Sequence, residues 1–120
     1  MEFKDNQPIY MQIADYFCEN ILTREWKENE KIPSVREIAM FVEVNPNTAI
    51  RAYNFLQDQG IIYNKRGIGY FVAKDGYSRA LELRKGEFLR KDVPVFIKTM
   101  NLLNLKFTDL QPHYESIVNK

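Results

Sequence analysis

Two helix-start signals stand eleven residues apart in this chain, which leaves room between them for one short helix and a tight turn. Ser34-Val35-Arg36-Glu37 has capping-box spacing: the Ser hydroxyl accepts the N–H three residues on, and the Glu carboxylate reaches back to the cap N–H. Val35, Ile38, Ala39 and Val42 supply an apolar face, which predicts a helix over about 34–42. Glu43-Val44 is then the turn. Asn45-Pro46 restarts the chain, with Asn45 as N-cap and Pro46 at the first helical position, where its missing N–H is harmless. This helix extends from Pro46 to about Gln59, and Gly60 suits the left-handed position just past its end. Two short helices joined this way are a helix-turn-helix.

Upstream, Ile9, Ile13, Phe17 and Ile21 recur every fourth residue and predict a helix over 8–23, with Pro8 in its first position. Residues 24–33 lack any period and read as a loop, with Asn29 as its best left-handed candidate. Downstream, Ile61–Asn64 and Tyr70–Ala73 are β-prone runs joined by Lys65-Arg66-Gly67-Ile68-Gly69, a hairpin with a basic tip. Residues 77–103 read as helical again, and Pro94 must kink that helix or split it in two. Thr108-Asp109-Leu110-Gln111 reads as a second capping box opening a last helix near 109–118, with Pro112 in its first turn. The expected fold is mostly α with a small β-hairpin: a winged helix-turn-helix over 1–76, followed by a short helical dimerisation tail over 77–120.

Several chemistries are excluded early. Cys18 and His113 are the only residues of their kinds, which leaves no disulfide, no multi-cysteine metal site and no His-rich centre. No nucleophile–base pair or phosphate loop is visible, and no cofactor or metal is expected. Gly67-Ile68-Gly69 is a turn rather than a dinucleotide fingerprint, because no helix follows it. No apolar run approaches the ~18 residues of a membrane span, and the first residues lack a signal-peptide pattern, so the expected compartment is the cytoplasm.

The charge pattern points instead to a polyanion. Residues 1–43 carry five basic against nine acidic side chains, residues 44–74 four against one, and residues 75–120 eight against six. A basic middle in a near-neutral chain suits one face offered to nucleic acid. On the second helix Ala49, Ala52, Tyr53 and Leu56 share the inward face. Asn47, Arg51 and Asn54 lie opposite, with Thr48 at the flank. Asn can pair with adenine edges, Arg with guanine, and Thr can touch a thymine methyl or a phosphate. The free N–H groups at the helix start are a further phosphate site. Lys65, Arg66 and Gly67 at the wing tip fit contact with the backbone or minor groove. Plainer roles stay open: Asn45 as a cap, Thr48 as a helix-face residue, Arg51 as a solvated charge, Arg36 paired with Glu37 or Glu43, and Lys65 and Arg66 as ordinary hairpin residues. The rival to DNA binding is a winged-helix protein-interaction module, whose exposed recognition face would be apolar.

These residues resemble a known family. Pro8-Ile9-Tyr10-Met11-Gln12-Ile13 and Ile32-Pro33-Ser34-Val35-Arg36-Glu37-Ile38-Ala39 are similar to the DNA-binding domain of GntR-type bacterial transcription regulators. Val44-Asn45-Pro46-Asn47-Thr48 with Arg51-Ala52-Tyr53 is similar to the YtrA subgroup. Gly60-Ile61-Ile62 and Arg66-Gly67-Ile68-Gly69-Tyr70-Phe71-Val72 complete the likeness, which covers about residues 7–76. It implies DNA contact by Arg36 of the motif that Ser34 opens, by Asn45, Asn47 and Thr48 at the start of the recognition helix, and by Arg66 and Gly67 of the wing. The chain departs from the pattern at Thr23-Arg24 (usually Ser-Gly), Asn29 and Glu43 (usually Gly), and Pro46 (often Arg).

The expected function is a transcriptional regulator, a repressor, that binds a two-fold double-stranded DNA operator as a homodimer. Ser34, Arg36, Asn45, Asn47 and Thr48 form one part of the DNA-facing set, and Arg51, Asn54, Lys65, Arg66 and Gly67 the other. Leu81, Phe88, Leu89, Val93, Phe96, Ile97 and Met100 are the expected dimer interface. The tail is too short to enclose a ligand pocket of roughly 300–1,000 Å³ alone; a dimer could still form a small cavity for a small-molecule effector. No membrane partner is expected.

Overall fold

The computed structural model describes residues 1, 3 and 6–119. In order, the elements are α1 (Ile9–Leu22), α2 (Val35–Val42), α3 (Pro46–Asp58), β1 (Ile62–Lys65), β2 (Gly69–Val72), α4 (Gly76–Glu87), a π-helical segment (Phe88–Asp92), α5 (Val93–Leu102) and α6 (Phe107–Val118). The chain divides into two compact units, Met1–Arg84 and Lys85–Lys120.

The four-residue period of α1 puts Ile13, Phe17 and Ile21 into the core of the first unit, against Ala49, Ala52, Tyr53 and Leu56 of α3. Each such fully buried large apolar side chain contributes about 1.5–3 kcal/mol. The Phe17 ring meets Tyr53 edge-on at 5.0 Å, and the Tyr53 hydroxyl donates to the Pro33 carbonyl at 2.6 Å. Burial pushes the Tyr53 phenol far up, so it stays a neutral donor that ties α3 to the residue before the Ser34 cap. The capping box on α2 is complete, Glu37 N–H to Ser34 Oγ at 3.1 Å and Ser34 N–H to Glu37 Oε1 at 3.0 Å.

α2 and α3 end alike. At α3, the Gly60 N–H donates to Gln57 and the Ile61 N–H to Leu56, with Gly60 left-handed at φ +74°. At α2, the Glu43 N–H donates to Met40 and the Val44 N–H to Ala39, with Glu43 left-handed at φ 57°. Both are Schellman motifs, and the second makes the tight turn into α3.

Other boundaries differ from expectation. Pro8 stands just ahead of α1 rather than inside it, its carbonyl accepting from Met11 and Gln12. The hairpin strands are shifted by one residue, with Lys65 paired to Gly69. The supposed loop 24–33 is irregular only at first. Its last residues lie along the free edge of β2: the Asn29 N–H donates to Val72, the Ile32 N–H to Tyr70, and the Val72 N–H to Glu30. Asn29 is left-handed as expected, and Arg24 is left-handed too.

Pro94 neither ends the helix nor splits it. Helical backbone passes from α4 through the π-helical turn into α5. A proline there removes the bond to the Arg90 carbonyl and crowds it, and the wider π turn over 88–92 absorbs both effects. The last helix begins at Phe107, two residues early, because the Asp109 carboxylate reaches back to the Lys106 N–H at 2.8 Å. Thr108 is therefore inside the helix rather than its cap, and Pro112 falls in the second turn.

The first turns of α4 belong to the first unit. Ala80 is fully buried, Tyr77 and Leu83 pack against the core, and Arg84 pairs with Asp15 of α1 at 2.7 Å. The second unit buries little: of its described residues only Glu87 and Met100 are inside.

Candidate nucleic-acid interface

The rotation of α3 about its axis is fixed by what it buries. Ala49, Ala52, Tyr53 and Leu56 have no exposed surface, so Asn47, Arg51 and Asn54 must face outward, and all three are exposed. Thr48 at the flank is half-buried. This face is polar, which disfavours the protein-interaction reading.

The start of α3 holds its own N–H groups. Asn45 Oδ1 accepts the Asn47 N–H at 2.8 Å, and the Asn45 carbonyl accepts from Thr48 and Ala49. Pro46 has no N–H to offer. The expected phosphate site at this helix start is therefore closed, because the cap and the proline use what a phosphate would need. Asn45 acts as a cap and is exposed beside Asn47.

Ser34 and Arg36 stand exposed at the start of α2. The Ser34 hydroxyl accepts from the Glu37 N–H. The two hydrogen bonds from Ser34 hold the Glu37 carboxyl below its ordinary range, so Glu37 is engaged there as an anion.

In the wing, the Ile68 N–H donates to the Lys65 carbonyl at 2.9 Å, and Gly67 has φ +80°. That φ at the third position of a four-residue turn needs glycine, although a Cβ on Gly67 would meet only open space. Lys65, Arg66 and Gly67 are exposed, and the Lys65 ammonium sits 5.0 Å over the Phe71 ring.

Two residues of this surface are invisible to sequence reasoning. The Lys31 side chain lies along Gly69, its Cε 3.0 Å from where a Cβ would stand, so a third cation flanks the base of the wing. The Arg51 guanidinium lies over the Tyr10 ring, 4.3 Å from its centroid. Neither has a local signal, since each pair is joined only by tertiary packing. Among the described residues no cluster of three or more metal-binding side chains occurs, and no helix is long and apolar enough to cross a membrane.

Comparisons with known proteins agree with this geometry. The sequence pattern described as "Bacterial regulatory proteins, gntR family" matches residues 9–72. The HTH-type transcriptional regulator YhcF of Bacillus subtilis is 36% identical over 104 residues, 87% of this chain and 84% of that protein. The HTH-type transcriptional repressor YtrA of Bacillus subtilis is 37% identical over 79 residues, 66% of this chain and 61% of its own length. A GntR-family regulator structure from Bacteroides thetaiotaomicron, 40% identical, superposes with a TM-score of 0.75 over 92% of this chain and 96% of that one. The DNA-binding domain of AraR, in complex with operator ORR3, is 30% identical with a TM-score of 0.55, over 61% of this chain and 86% of that one.

Proposed function

The chain belongs to the gntR family of bacterial regulatory proteins and is a DNA-binding transcriptional regulator, and on that premise we propose that it is a repressor acting as a homodimer on a two-fold operator. α3 enters the major groove, where Asn47, Arg51 and Asn54 read base edges and Thr48 touches a methyl or a phosphate. Arg36 makes a groove contact, and Ser34 and Asn45 fix register on the adjoining backbone. Lys65, Arg66 and Gly67 carry the wing to the backbone or the minor groove. Residues 1–76 hold the DNA contacts, and residues 77–120 bring two copies together through Leu81, Phe88, Leu89, Val93, Phe96, Ile97 and Met100. The repressor role draws on the name of YtrA, and the operator on the AraR complex. Its workplace is the cytoplasm, where the DNA is. An effector, if one acts, binds in a cavity that only the dimer forms.

One observation carries the reading: the wholly buried inner face of α3 leaves a polar, hydrogen-bonding outer face at the end of the helix that a major groove admits. The test is a duplex selected by the protein from a random pool. Arg51→Ala or Asn47→Ala should lose about 1–3 kcal/mol on that duplex and relax discrimination at one or two base pairs. Parent-like binding of selected and scrambled duplexes by both variants would overturn it.

A further inference from the structure

We propose that Tyr10 is a positioning residue for base reading: its ring holds the Arg51 guanidinium ready for the groove and so sets discrimination at one base pair. This rests on α3 being the base-reading helix and deepens that reading.

Arg51 is exposed, on the outer face of α3. A long charged side chain in that position samples many rotamers, and binding must freeze one of them. Here the guanidinium already has a seat, 4.3 Å above the Tyr10 ring. The seat is firm. Tyr10 is the second residue of α1, half-buried against the core, on a helix anchored by the fully buried Ile13 and Phe17.

The chemistry of the pair suits reading rather than storage. A guanidinium lying over a ring uses its face, through attraction to the negative π-surface. Its five N–H donors lie in the guanidinium plane, so a guanidinium laid flat on the ring points them away from it. Guanine is approached edge-on, two of those N–H groups meeting O6 and N7. Stacking on Tyr10 and bidentate reading are therefore compatible in one posture. A carboxylate in the ring's place would occupy the N–H edge and neutralise the charge; an aromatic ring does neither.

The experiment measures binding of the parent, Tyr10→Phe, Tyr10→Leu, Tyr10→Ala, Arg51→Ala and the double variant Tyr10→Ala/Arg51→Ala. The probes are the duplex selected by the parent, its single-base-pair variants and a scrambled duplex. Tyr10→Phe keeps the ring and should discriminate like the parent. Tyr10→Leu keeps apolar bulk without a π-face. Both Tyr10→Leu and Tyr10→Ala should lose about fivefold in discrimination, at the base pair that Arg51→Ala identifies, with scrambled binding unchanged. The double variant should be no worse than Arg51→Ala alone. Tyr10→Leu guards against mere damage to α1, and urea midpoints report that damage directly.

Parent-like discrimination by Tyr10→Leu, beside a clear loss in Arg51→Ala, would overturn the proposal and leave the recognition helix standing. An equal loss on selected and scrambled duplexes would make Tyr10 a phosphate contact instead. A loss in Tyr10→Phe would transfer the role to the hydroxyl and likewise overturn it. No effect of Arg51→Ala would bring down the recognition-helix reading itself, and the role of Tyr10 with it.

Discussion

Glu43 is where a single backbone conformation governs the recognition unit. It holds φ 57° and ψ 54° in the turn that sets α3 against α2. A left-handed residue with a Cβ costs about 1–2 kcal/mol relative to its ordinary conformation. Four non-glycine residues pay this in the described chain: Arg24, Asn29, Glu43 and Asn104. The two Asn tolerate it, and Arg24 recovers something by stacking its guanidinium 3.7 Å from the Tyr77 ring centroid. Glu43 is exposed in a turn whose hydrogen bonds all come from backbone. Glu43→Gly should therefore raise stability by about 1 kcal/mol, the relieved strain being partly offset by the freer unfolded chain. A higher urea midpoint with unchanged slope is the expected result, with operator affinity little altered. An equal or lower midpoint would mean that the glutamate side chain repays the strain through contacts of its own.

Elements differ in how far their chemistry can be read along the chain. The Ser34 box, the Asn45-Pro46 start, the Gly60 stop and the Gly67 turn were legible because each signal is complete within a few residues. So was the outward set Asn47, Arg51 and Asn54, which follows from helical period once Ala49, Ala52, Tyr53 and Leu56 face inward. The bridging of residues 29–32 to β2 was not legible, because what orders them lies some forty residues on. Tyr10 and Lys31 escaped for the same reason: they come to Arg51 and to Gly69 only through the packed core. Pro94 gave a true signal of a disturbed helix, but the π-helical turn ahead of it has no local signature. The wing is the element whose role is most separable. Its cations sit on an exposed turn with no base-reading partner, so Lys65→Ala with Arg66→Ala should weaken selected and scrambled duplexes about equally. The slope of log affinity against log salt should flatten by about 2. An unchanged slope would remove the wing from the phosphates, and a loss confined to one base step would make it a reader.

At the scale of the whole molecule, the second unit has almost no interior. Among its described residues only Glu87 and Met100 are buried, while Phe88 is 55% exposed, Leu89 62%, Phe96 52% and Ile97 48%. Helices that leave so much apolar surface in water do not persist unpartnered, and patches of this kind mark interfaces. A second copy is the partner that the proposed function requires. Two-fold pairing buries the same patch on both chains and closes without leaving a third site. Met100, already 8% exposed in one chain, would then support the interface from beneath rather than form its surface. The two-fold axis would set two α3 helices about one DNA turn apart, roughly 34 Å. Holding both half-sites through one interface makes the second contact intramolecular, which is worth roughly 100-fold or more in affinity. Phe96→Glu or Ile97→Glu should separate the subunits by placing a charge in that interface. The informative truncation is after Arg84, because a cut after Gly76 would strip Tyr77, Ala80 and Leu83 from the core of the first unit. Each variant should sediment as a monomer and bind a half-site as the parent does. Each should lose cooperative binding to the full operator. A parent that itself sediments at 14.2 kDa at micromolar concentration, with operator binding untouched by the cut, would sink the dimer and leave the apolar face to a different partner.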